Sequence, residues 1–516
     1  NIKEKKGDNI YTLELNDEKQ KMKKTSFFKF SPLMDPVKYM VGKYDNVTKE
    51  MRTTLPKLNE NISMKKILDV NNSAYVDSFF SYLSSIAYHH HKFPNGLDFY
   101  GSFLGIQKSH FFNITDDLEY LYDSDYFHKW NGELFKTDDI NEELLSDASR
   151  THRKKLSLKG DEIKLEVNTI NDDMFGDVFA LTEKNLEIHN SKMIEEVLDV
   201  SNNGRSRKET ESACSSRSSN TSNDSDYEEE SDISENSLES CSNSELSEYS
   251  SSNRDDEYIK GEVYDFPVQI ICLEKMDNTL DSLLDNDEES DDEEEKLSNK
   301  EWTSCLFQII MILIAYQKIF DFTHNDLHTN NIMFQKTDKK FINYKYNNTY
   351  YRVPTYGRIY KIIDFGRAIY SFNGKTICSD SYHPKGDAAT QYNFEPYFND
   401  KKPRLKPNKS FDLCRLACSL YDFFVDDIEN ENKIKNPIAK LIIKWTKDDK
   451  GRNILYKNNG EERYPDFKLY KMIVRTVHEH VPENELNEQL FSQYKSSKKK
   501  IKKGKIINID KMEPMI

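Results

Sequence analysis

The stretch 323-THNDLHTNNIMF-334 concentrates polar side chains directly after the long apolar run 305-CLFQIIMILIAYQKIF-320. A continuous apolar run of this kind, bounded by polar residues, predicts a buried helix. The Thr, His and Asn residues that follow are poor helix formers, so the stretch itself should be a loop. A loop can aim two polar side chains, Asp326 and Asn331, into one cleft. We therefore expect a functional site where the apolar helix ends.

A second acidic group lies in the predicted strand 359-IYKIIDFG-366. Its carboxylate is Asp364, and Gly366 permits a sharp change of direction after the strand. Phosphoryl transfer from ATP requires a carboxylate that orients the attacking hydroxyl, oxygen ligands for magnesium and a cation near the phosphates. Asp326 suits the first role, and Asn331 with Asp364 suits the second.

These residues together resemble the protein-kinase signature H-x-D-L-x-x-x-N followed by D-F-G. The signature appears here as His324, Asp326, Leu327 and Asn331 and then Asp364-Phe365-Gly366. Two motifs in the right order are more specific than either motif alone.

Segments around the signature also resemble a kinase in their order. The strand 268–273 leads into 274-EKMDN-278, which resembles the hinge, and helix 301–320 resembles the helix before the catalytic loop. The stretch 411-FDLCRLACSLYDF-423 resembles a buried helix of the C-lobe. In that helix Asp412 matches the residue that anchors the catalytic-loop backbone in kinases.

Three further stretches are similar to the serine/threonine kinases of giant, mimivirus-like DNA viruses: 26-SFFKFSPLMDPVKYMVGKY-44, 97-LDFYGSF-103 and 461-EERYPDFKLYKMIVRTVHEHVP-482. The resemblance then spans most of the chain outside its acidic tracts. It implies a bilobal α+β fold of the protein-kinase type, with a β-rich N-lobe and a helical C-lobe. It also implies ATP and Mg²⁺ as cofactors and a protein hydroxyl as acceptor.

The resemblance assigns roles to further residues. Lys29 would be the strand lysine that holds the phosphates, and Asp77, the one acid within the predicted helix 71–91, would be its partner. His328 stands where kinases usually carry a lysine against the transferred phosphate, and it would assist Lys29. Two hinge residues would receive the adenine of ATP through their main chain: Glu274 and Met276.

The sequence departs from the kinase pattern at two functional places. Asn325 stands where most regulated kinases have Arg, so activation by a phosphate that pairs with that Arg is not expected. No G-x-G-x-x-G occurs near the N-terminus. A phosphate-covering loop is therefore expected either upstream of Asn1 or in a degenerate form.

Two structural departures follow further along the chain. The spacing of 38 residues between Asp326 and Asp364 implies an enlarged hairpin at 335–358. The triplet 394-FEP-396 resembles a scrambled form of the A-P-E motif, and it suggests that Glu395 pairs with Arg463.

Charge divides the chain into folded and acidic parts. Residues 205–258 carry 5 Lys/Arg and 15 Asp/Glu, and residues 281–296 carry 1 and 10, so they contribute −10 and −9 to the net charge of −16. The remainder is near +3, so the overall acidity does not argue against an anionic ligand. Segments of this composition cannot bury enough apolar surface to offset the entropy of ordering, which predicts disorder.

At 516 residues the chain exceeds what a single core of roughly 250–300 residues can serve, which favours two lobes with insertions. We expect these parts: N-lobe 1–106, insertion 107–200, disordered Ser/acid-rich insert 201–258, last N-lobe strand and hinge 259–277, C-lobe 278–490 with an acidic loop 285–296, and basic tail 491–516.

Alternatives to a serine/threonine kinase remain open at this point. A pseudokinase or virion-associated scaffold would keep the fold and bind partners through the acidic arm, and a small-molecule kinase of the aminoglycoside type would keep the chemistry. The long segment 367–396 favours a protein acceptor, because it can form an activation segment. Lys29 and Asp77 also have simpler explanations, as a solvated strand lysine and a surface helix acid.

Partners and location follow from composition alone. The basic block 495-KSSKKKIKKGK-505 could contact nucleic acid, an anionic surface or the acidic tracts. The scattered cysteines suggest a reducing compartment, and the apolar run 305–316 is shorter than the ~20 residues of a membrane span. We expect an intracellular protein without a transmembrane segment, in the host cytoplasm and also in the virion.

Overall fold

The computed structural model describes the chain in eight stretches: 2–16, 21–44, 46–57, 64–138, 259–284, 297–425, 428–501 and 505–516. They belong to one of the two units into which the chain divides, and the other unit, Thr151–Ala213, lies outside the described residues. Most of the expected 107–200 insertion, the insert 201–258 and the acidic loop 285–296 also lie outside them.

The N-terminal part of the described chain is rich in strands, which form an antiparallel sheet. Along this sheet the strands follow the order β1-β2-β3-β6-β4, and β5 pairs with β6 as well. Aromatic and β-branched residues are frequent in these segments, as is typical of strands. The strands are β1 Ile2–Gly7, β2 Ile10–Asn16, β3 Lys21–Pro32, β4 Phe99–Asn113, β5 Phe135–Thr137 and β6 Lys260–Glu274.

The register of the central strands fixes which side chains share a face. Lys29 of β3 lies opposite Ile271 of β6, and Ile271 lies opposite Ser102 of β4. Side chains alternate between the two faces of a strand, so Phe27 and Ser31 lie on the same face of β3 as Lys29.

The described N-terminal part also contains short helices, three before and two after a longer helix. They are α1 Pro36–Met40, α2 Lys49–Thr53, α3 Lys65–Leu68, α5 Leu118–Tyr122 and α6 Asp125–Trp130. The longer helix, α4, spans Ser73–His90 and corresponds to the helix predicted at 71–91. Asn72 caps its N-terminus by accepting from the Ala74 N–H at 3.1 Å, and its amide nitrogen donates to the Leu33 carbonyl at 2.8 Å. This cap holds the first turn of α4, which directly precedes Asp77, near the end of β3.

The C-terminal part is largely helical and is built around α7, Asn299–Phe320. Ser298 and Glu301 form a capping box at its N-terminus, and nearly all of its side chains are buried. Four further helices follow: α8 Phe411–Phe424, α9 Pro437–Trp445, α10 Lys468–Thr476 and α11 Pro482–Glu485. The chain is therefore a mixed α and β protein, with a strand-rich N-terminal part and helices that dominate after residue 297.

Helix α7 is, in the part of the chain that the structure describes, the one helix long and apolar enough to cross a membrane. However, 94% of its most apolar 18-residue window is buried inside the protein. The core helix of a folded domain passes the same test, so the hydropathy of α7 is explained by its packing.

Short strands accompany these helices in three smaller groups. They are β7 Asn278–Thr279, β8 Ile332–Lys336, β9 Phe341–Tyr346, β10 Thr349–Pro354, β11 Arg358–Ile362, β12 Ile369–Phe372, β13 Lys375–Cys378, β14 Lys495–Ser496 and β15 Ile506–Asn508. The enlarged hairpin expected at 335–358 is confirmed as β9 and β10. Residues of the expected basic tail extend this hairpin, because β14 pairs with β10 and β15 pairs with β9.

Candidate active site

The loop after α7 is anchored by one carboxylate. Asp412, in the first turn of α8, is fully buried and accepts the main-chain N–H groups of His324 and Asn325, each at 2.9 Å. This confirms the anchoring role expected for Asp412. His324 adds a second tie, because its Nε2 donates to the Ile363 carbonyl at 2.9 Å.

The same loop contains a residue in an unusual backbone conformation. Asn325 has φ = 64°, in the left-handed region that non-glycine residues rarely adopt and that Asn tolerates best. Its buried amide donates to the Thr323 carbonyl at 3.2 Å and accepts from the Tyr392 hydroxyl at 2.5 Å. The conformation turns the loop so that Asp326, the next residue, lines the large cavity described below.

Lys29 lies between two carboxylates. Its Nζ is 2.9 Å from Asp77 Oδ2 and 2.9 Å from Asp364 Oδ1. The expected pair of Lys29 with Asp77 is therefore present, and Asp77 is not a surface acid. Burial by itself would lower the pKa of Lys29, but the Asp364 and Asp77 carboxylates raise it above its ordinary value.

Asp364 lies just after β11, which ends at Ile362. Its φ of 61° is also left-handed, and the next N–H, that of Phe365, donates to Asp77 Oδ1 at 2.9 Å. Burial opposes ionisation of Asp364, yet the neighbouring Lys29 ammonium holds the pKa of this carboxyl below its usual range. Asp364 is thus a carboxylate near neutral pH.

Asp326 is surrounded by donors. Its Oδ1 accepts from the Tyr470 hydroxyl at 2.7 Å, and its Oδ2 lies 3.8 Å from the Arg367 Nε. Burial raises the pKa of Asp326, but the charges of Arg367, His328 and Arg415 and the Tyr470 hydrogen bond together lower it to about 2. A carboxylate with so low a pKa is a weak base. Its negative charge can still orient a hydroxyl group.

Asn331 and His328 line the smaller of the two cavities described below. The Asn331 amide nitrogen donates to the Asp326 carbonyl at 2.9 Å and to His328 Nε2 at 2.9 Å. The amide oxygen of Asn331 is therefore the atom left to meet a cation. The His328 ring is buried, and this bond orients it.

Two adjoining cavities collect the residues singled out from the sequence. The larger measures about 1030 Å³, the smaller about 70 Å³, and Phe27, Lys29, Asp77 and Asp364 line both. Asp326 lines the larger cavity, whereas His328 lines the smaller. All eight predicted site residues line at least one of them: Lys29, Asp77, Glu274, Met276, Asp326, His328, Asn331 and Asp364.

The smaller cavity has an apolar wall and one polar edge. Leu97, Leu273 and Met333 line it beside Met276. The side chain of Glu274 is already engaged, since it pairs with the buried Lys361 and accepts from the Asp98 N–H at 2.8 Å. These contacts favour the main chain of Glu274 for any contact with a ligand.

The described residues offer oxygen ligands in the set that magnesium prefers. They contain no group of three or more His, Cys, Asp or Glu side chains that could enclose a metal ion. Asp364 supplies a carboxylate and Asn331 an amide oxygen, both on the walls of the smaller cavity. Mg²⁺ is usually bound by one or two such groups together with substrate phosphates, so the two residues fit this ion.

The segment after Asp364 is held by side chains that the sequence did not single out. Lys66 pairs with Asp380, and Arg367 Nη2 lies 3.6 Å from Asp387 Oδ2. The carboxylates of Asp380 and Asp387 thus pair with basic side chains beside this segment.

One expected ion pair is wrong. Glu395 pairs with Arg404, nine residues away, through a bond of 2.8 Å from Nη2 to Oε1. Arg463 instead donates through Nε to the Asn453 carbonyl at 2.7 Å. The local turn brings Arg404 to the carboxylate, whereas Arg463 is held by the backbone of its own loop.

The N-terminal hairpin contributes a feature that motif reasoning missed. The turn between β1 and β2 contains Asp8 and Asn9, and both line the larger cavity. Asn9 has φ = 54°, and its carbonyl accepts from the Phe28 N–H at 2.8 Å. The hairpin therefore covers the cavity with a turn of a different composition from the glycine-rich loop sought in the sequence.

Arg367 and Tyr470 were also missed as site residues. Arg367 directly follows Gly366, so its position next to a motif was a usable signal. Tyr470 is 144 residues from its partner Asp326, and nothing in the sequence relates the two.

Comparison with known proteins shows sequence similarity to a viral protein. No protein-family model matches the sequence. Over 179 residues the chain is 28% identical to "Uncharacterized protein 098R" of Invertebrate iridescent virus 6. The match covers 34% of this chain and 26% of the viral protein, so the chain spans about a quarter of its length.

Proposed function

We propose that the protein is an ATP-dependent phosphotransferase with a bilobal protein-kinase-like fold, and that it transfers the γ-phosphate of ATP to a serine or threonine hydroxyl of a protein. The observation that carries the proposal is the position of Lys29 between Asp77 and Asp364, each at 2.9 Å, on the wall of the cavity that Asp326 also lines. A cation, a metal-binding carboxylate and an orienting carboxylate on one cavity are what this chemistry requires.

The topology supports the fold. An antiparallel sheet in the order β1-β2-β3-β6-β4, with α4 packed on β4 and β6, corresponds to the N-lobe implied by the resemblance. Helices α7 to α10 correspond to the C-lobe. The two parts meet at Lys275 and Met276, directly after β6.

The nucleotide would occupy the two cavities together, because ligand pockets usually measure roughly 300–1,000 Å³ and the smaller cavity alone is about 70 Å³. The adenine would lie against Leu97, Leu273 and Met333. The main chain of Met276 has no hydrogen bond to another described residue, so it can pair with the edge of the base. The phosphates would then lie beside Lys29.

Each site residue has a distinct task in this proposal. Lys29 neutralises phosphate charge, and Asp77 holds Lys29 in place. Bound Mg²⁺ would supply further neutralisation of the phosphates, with Asn331 and Asp364 as its protein ligands. Asp326 accepts a hydrogen bond from the acceptor hydroxyl and so directs the oxygen towards the phosphorus.

A protein acceptor is favoured because the segment from Arg367 to Pro396 is ordered beside Asp326. Its turns are fixed by Lys66 with Asp380 and by Asn325 with Tyr392. This leaves an exposed surface that includes His383 and can receive an extended peptide. The similarity to an iridovirus protein supports a role in a virus-infected cell, and we propose the host cytoplasm or the virion as the place of that role.

Transfer of radiolabelled phosphate from ATP with Mg²⁺, to generic protein acceptors and to the protein itself, tests the proposal. Wild type should label protein, and Asp326→Ala and Asp364→Ala should each abolish labelling. Asp338→Ala is the matched control, because Asp338 is exposed in the turn before β9 and lines neither cavity.

Absence of transfer by wild type, combined with measurable nucleotide binding, would refute the enzyme and favour a nucleotide-binding scaffold. Phosphorylation of aminoglycosides without phosphorylation of any protein would instead favour a small-molecule kinase. Labelling that survives Asp326→Ala would show that the catalytic loop has been assigned wrongly.

A further inference from the structure

Tyr470 approaches Asp326 from behind the cavity. It lies on α10, its side chain is buried, and it does not line either cavity. Its hydroxyl donates to Asp326 Oδ1 at 2.7 Å. Tyr470 therefore contacts the carboxylate on the cavity wall and would affect a ligand only through that carboxylate.

The direction of that hydrogen bond is fixed by a second residue. Arg415, buried on α8, donates from Nε to the Tyr470 oxygen at 2.9 Å. Since an arginine can only donate, the Tyr470 oxygen must accept, and its own proton is free to point at Asp326. The two hydrogen bonds therefore run in one direction: Arg415 donates to Tyr470, and Tyr470 donates to Asp326.

The ion pair of Asp326 with Arg367 is looser. Arg367 Nε lies 3.8 Å from Asp326 Oδ2, which is beyond hydrogen-bond length. The bond from the Tyr470 hydroxyl, at 2.7 Å, is much shorter than this ion pair. It therefore restrains the rotation of the carboxylate about its side-chain bonds.

We propose that Tyr470 is a positioning residue for the transfer reaction: it holds one carboxylate oxygen of Asp326 and so aims the other at the acceptor hydroxyl. This inference rests on the proposed function, because it needs Asp326 to act on an acceptor. A carboxylate has about four acceptor positions on two oxygens, so the bond to Tyr470 leaves capacity for the acceptor.

The role predicts a specific kinetic signature. Without the hydroxyl, Asp326 samples other rotations and the acceptor loses its alignment with the phosphorus. Misplacement of a reacting group by an ångström can cost on the order of 100-fold in rate, so a loss of about 10- to 100-fold in kcat is expected. KM for ATP stays unchanged, because Tyr470 does not touch the nucleotide cavities.

Steady-state phosphate transfer by Tyr470→Phe tests this. The substitution keeps the ring and removes only the hydroxyl, and circular dichroism and nucleotide binding report whether the variant is folded. Tyr456→Phe is the matched control, because the Tyr456 hydroxyl donates to Asp422 at 2.9 Å and neither residue lines a cavity. The control should retain wild-type kcat.

A double variant separates positioning from a general structural effect. If Tyr470 acts through Asp326, then Tyr470→Phe added to Asp326→Asn, which removes the charge of the carboxylate but keeps the side-chain shape and a measurable rate, causes no further loss of kcat. An additional loss in the double variant would overturn the inference. Should Tyr470→Phe fail to fold, Arg415→Met removes the donor that fixes the hydroxyl and must also lower kcat.

Other outcomes are decisive as well. Wild-type kcat in a folded Tyr470→Phe or Arg415→Met variant would overturn the inference and leave the proposed function intact. A higher kcat in Tyr470→Phe would also overturn it, by showing that the contact restrains Asp326. No transfer by wild type would refute the proposed function and this inference with it.

Discussion

Replacing Lys29 with Met should destabilise the fold through electrostatics and not through packing. Lys29 Nζ bonds two carboxylates, Asp77 and Asp364, each at 2.9 Å. Met has a similar length and no charge, so it fills the space. It leaves two anions facing each other beside the cavity.

The expected loss can be worked from the exposure of the three side chains. Removing one partner of a buried ion pair typically costs about 3–5 kcal/mol, because the other charge stays buried without compensation. Asp77 is 5% exposed and meets this condition, whereas Asp364 is 30% exposed and can be hydrated from the cavity. We therefore expect a loss of about 2–3 kcal/mol in the free energy of unfolding.

Urea unfolding followed by tryptophan fluorescence measures this difference. Lys23→Met is the matched control, because Lys23 lies exposed on the same strand, and it should change the free energy of unfolding by less than about 0.5 kcal/mol. The double variant Lys29→Met/Asp77→Asn should recover part of the loss, since it neutralises one of the two anions. All three measurements are independent of any enzymatic activity.

A loss below about 0.5 kcal/mol for Lys29→Met would refute the reasoning, because that is the scale of a solvated surface pair. Failure of Asp77→Asn to recover any stability would show that the loss came from packing. Only the first of these results would make Lys29 the solvated strand lysine of the simpler explanation.

Three further predictions concern other parts of the fold. Asp412→Ala leaves the buried N–H groups of His324 and Asn325 without an acceptor, so urea unfolding should show a loss of about 3 kcal/mol, and an unchanged midpoint would contradict the anchoring. Burial lowers the pKa of His110 from 6.5 to about 4. As the pH falls below 6.5, His110 therefore binds a proton in the unfolded state but stays neutral in the folded state, which destabilises the fold. Wild type should therefore lose about 2 kcal/mol more than His110→Phe between about pH 7 and about pH 5, and parallel stability curves would argue against it. Ser298→Ala should cost about 1 kcal/mol by removing the cap of α7, which thermal unfolding can detect, with no shift expected if the cap is solvated.

The extent to which the fold could be predicted depends on how local each signal is. The hydrophobic spacing of α4 predicted 71–91 against the observed Ser73–His90, and the helix predicted at 411–424 is observed over Phe411–Phe424. Strand ends were less well predicted. The strand expected to reach Gly366 stops at Ile362, because the chain must turn there to place Asp364 in the left-handed conformation.

The candidate site divides in the same way. Asp326, Asn331 and Asp364 were found because their spacing follows a motif, and Lys29 and Asp77 were found through resemblance. The pairing of Glu395 was predicted wrongly, because an Arg nine residues away competes with the one chosen and sequence alone does not rank them. The turn at Asn9 was missed because its backbone, and not its composition, brings it to the cavity.

By itself, the sequence determined the order of the motifs, the type of the long elements and the loop after α7. These depend on residue type and on periodicity along a short stretch of chain, which are properties that each segment carries with it. Only the tertiary structure decided which side chains meet: Lys29 with Asp364, and Asp326 with Tyr470 across 144 residues. The physical reason is that such contacts depend on how whole helices and strands pack. Packing brings together residues that lie far apart in the sequence, and no local pattern relates them.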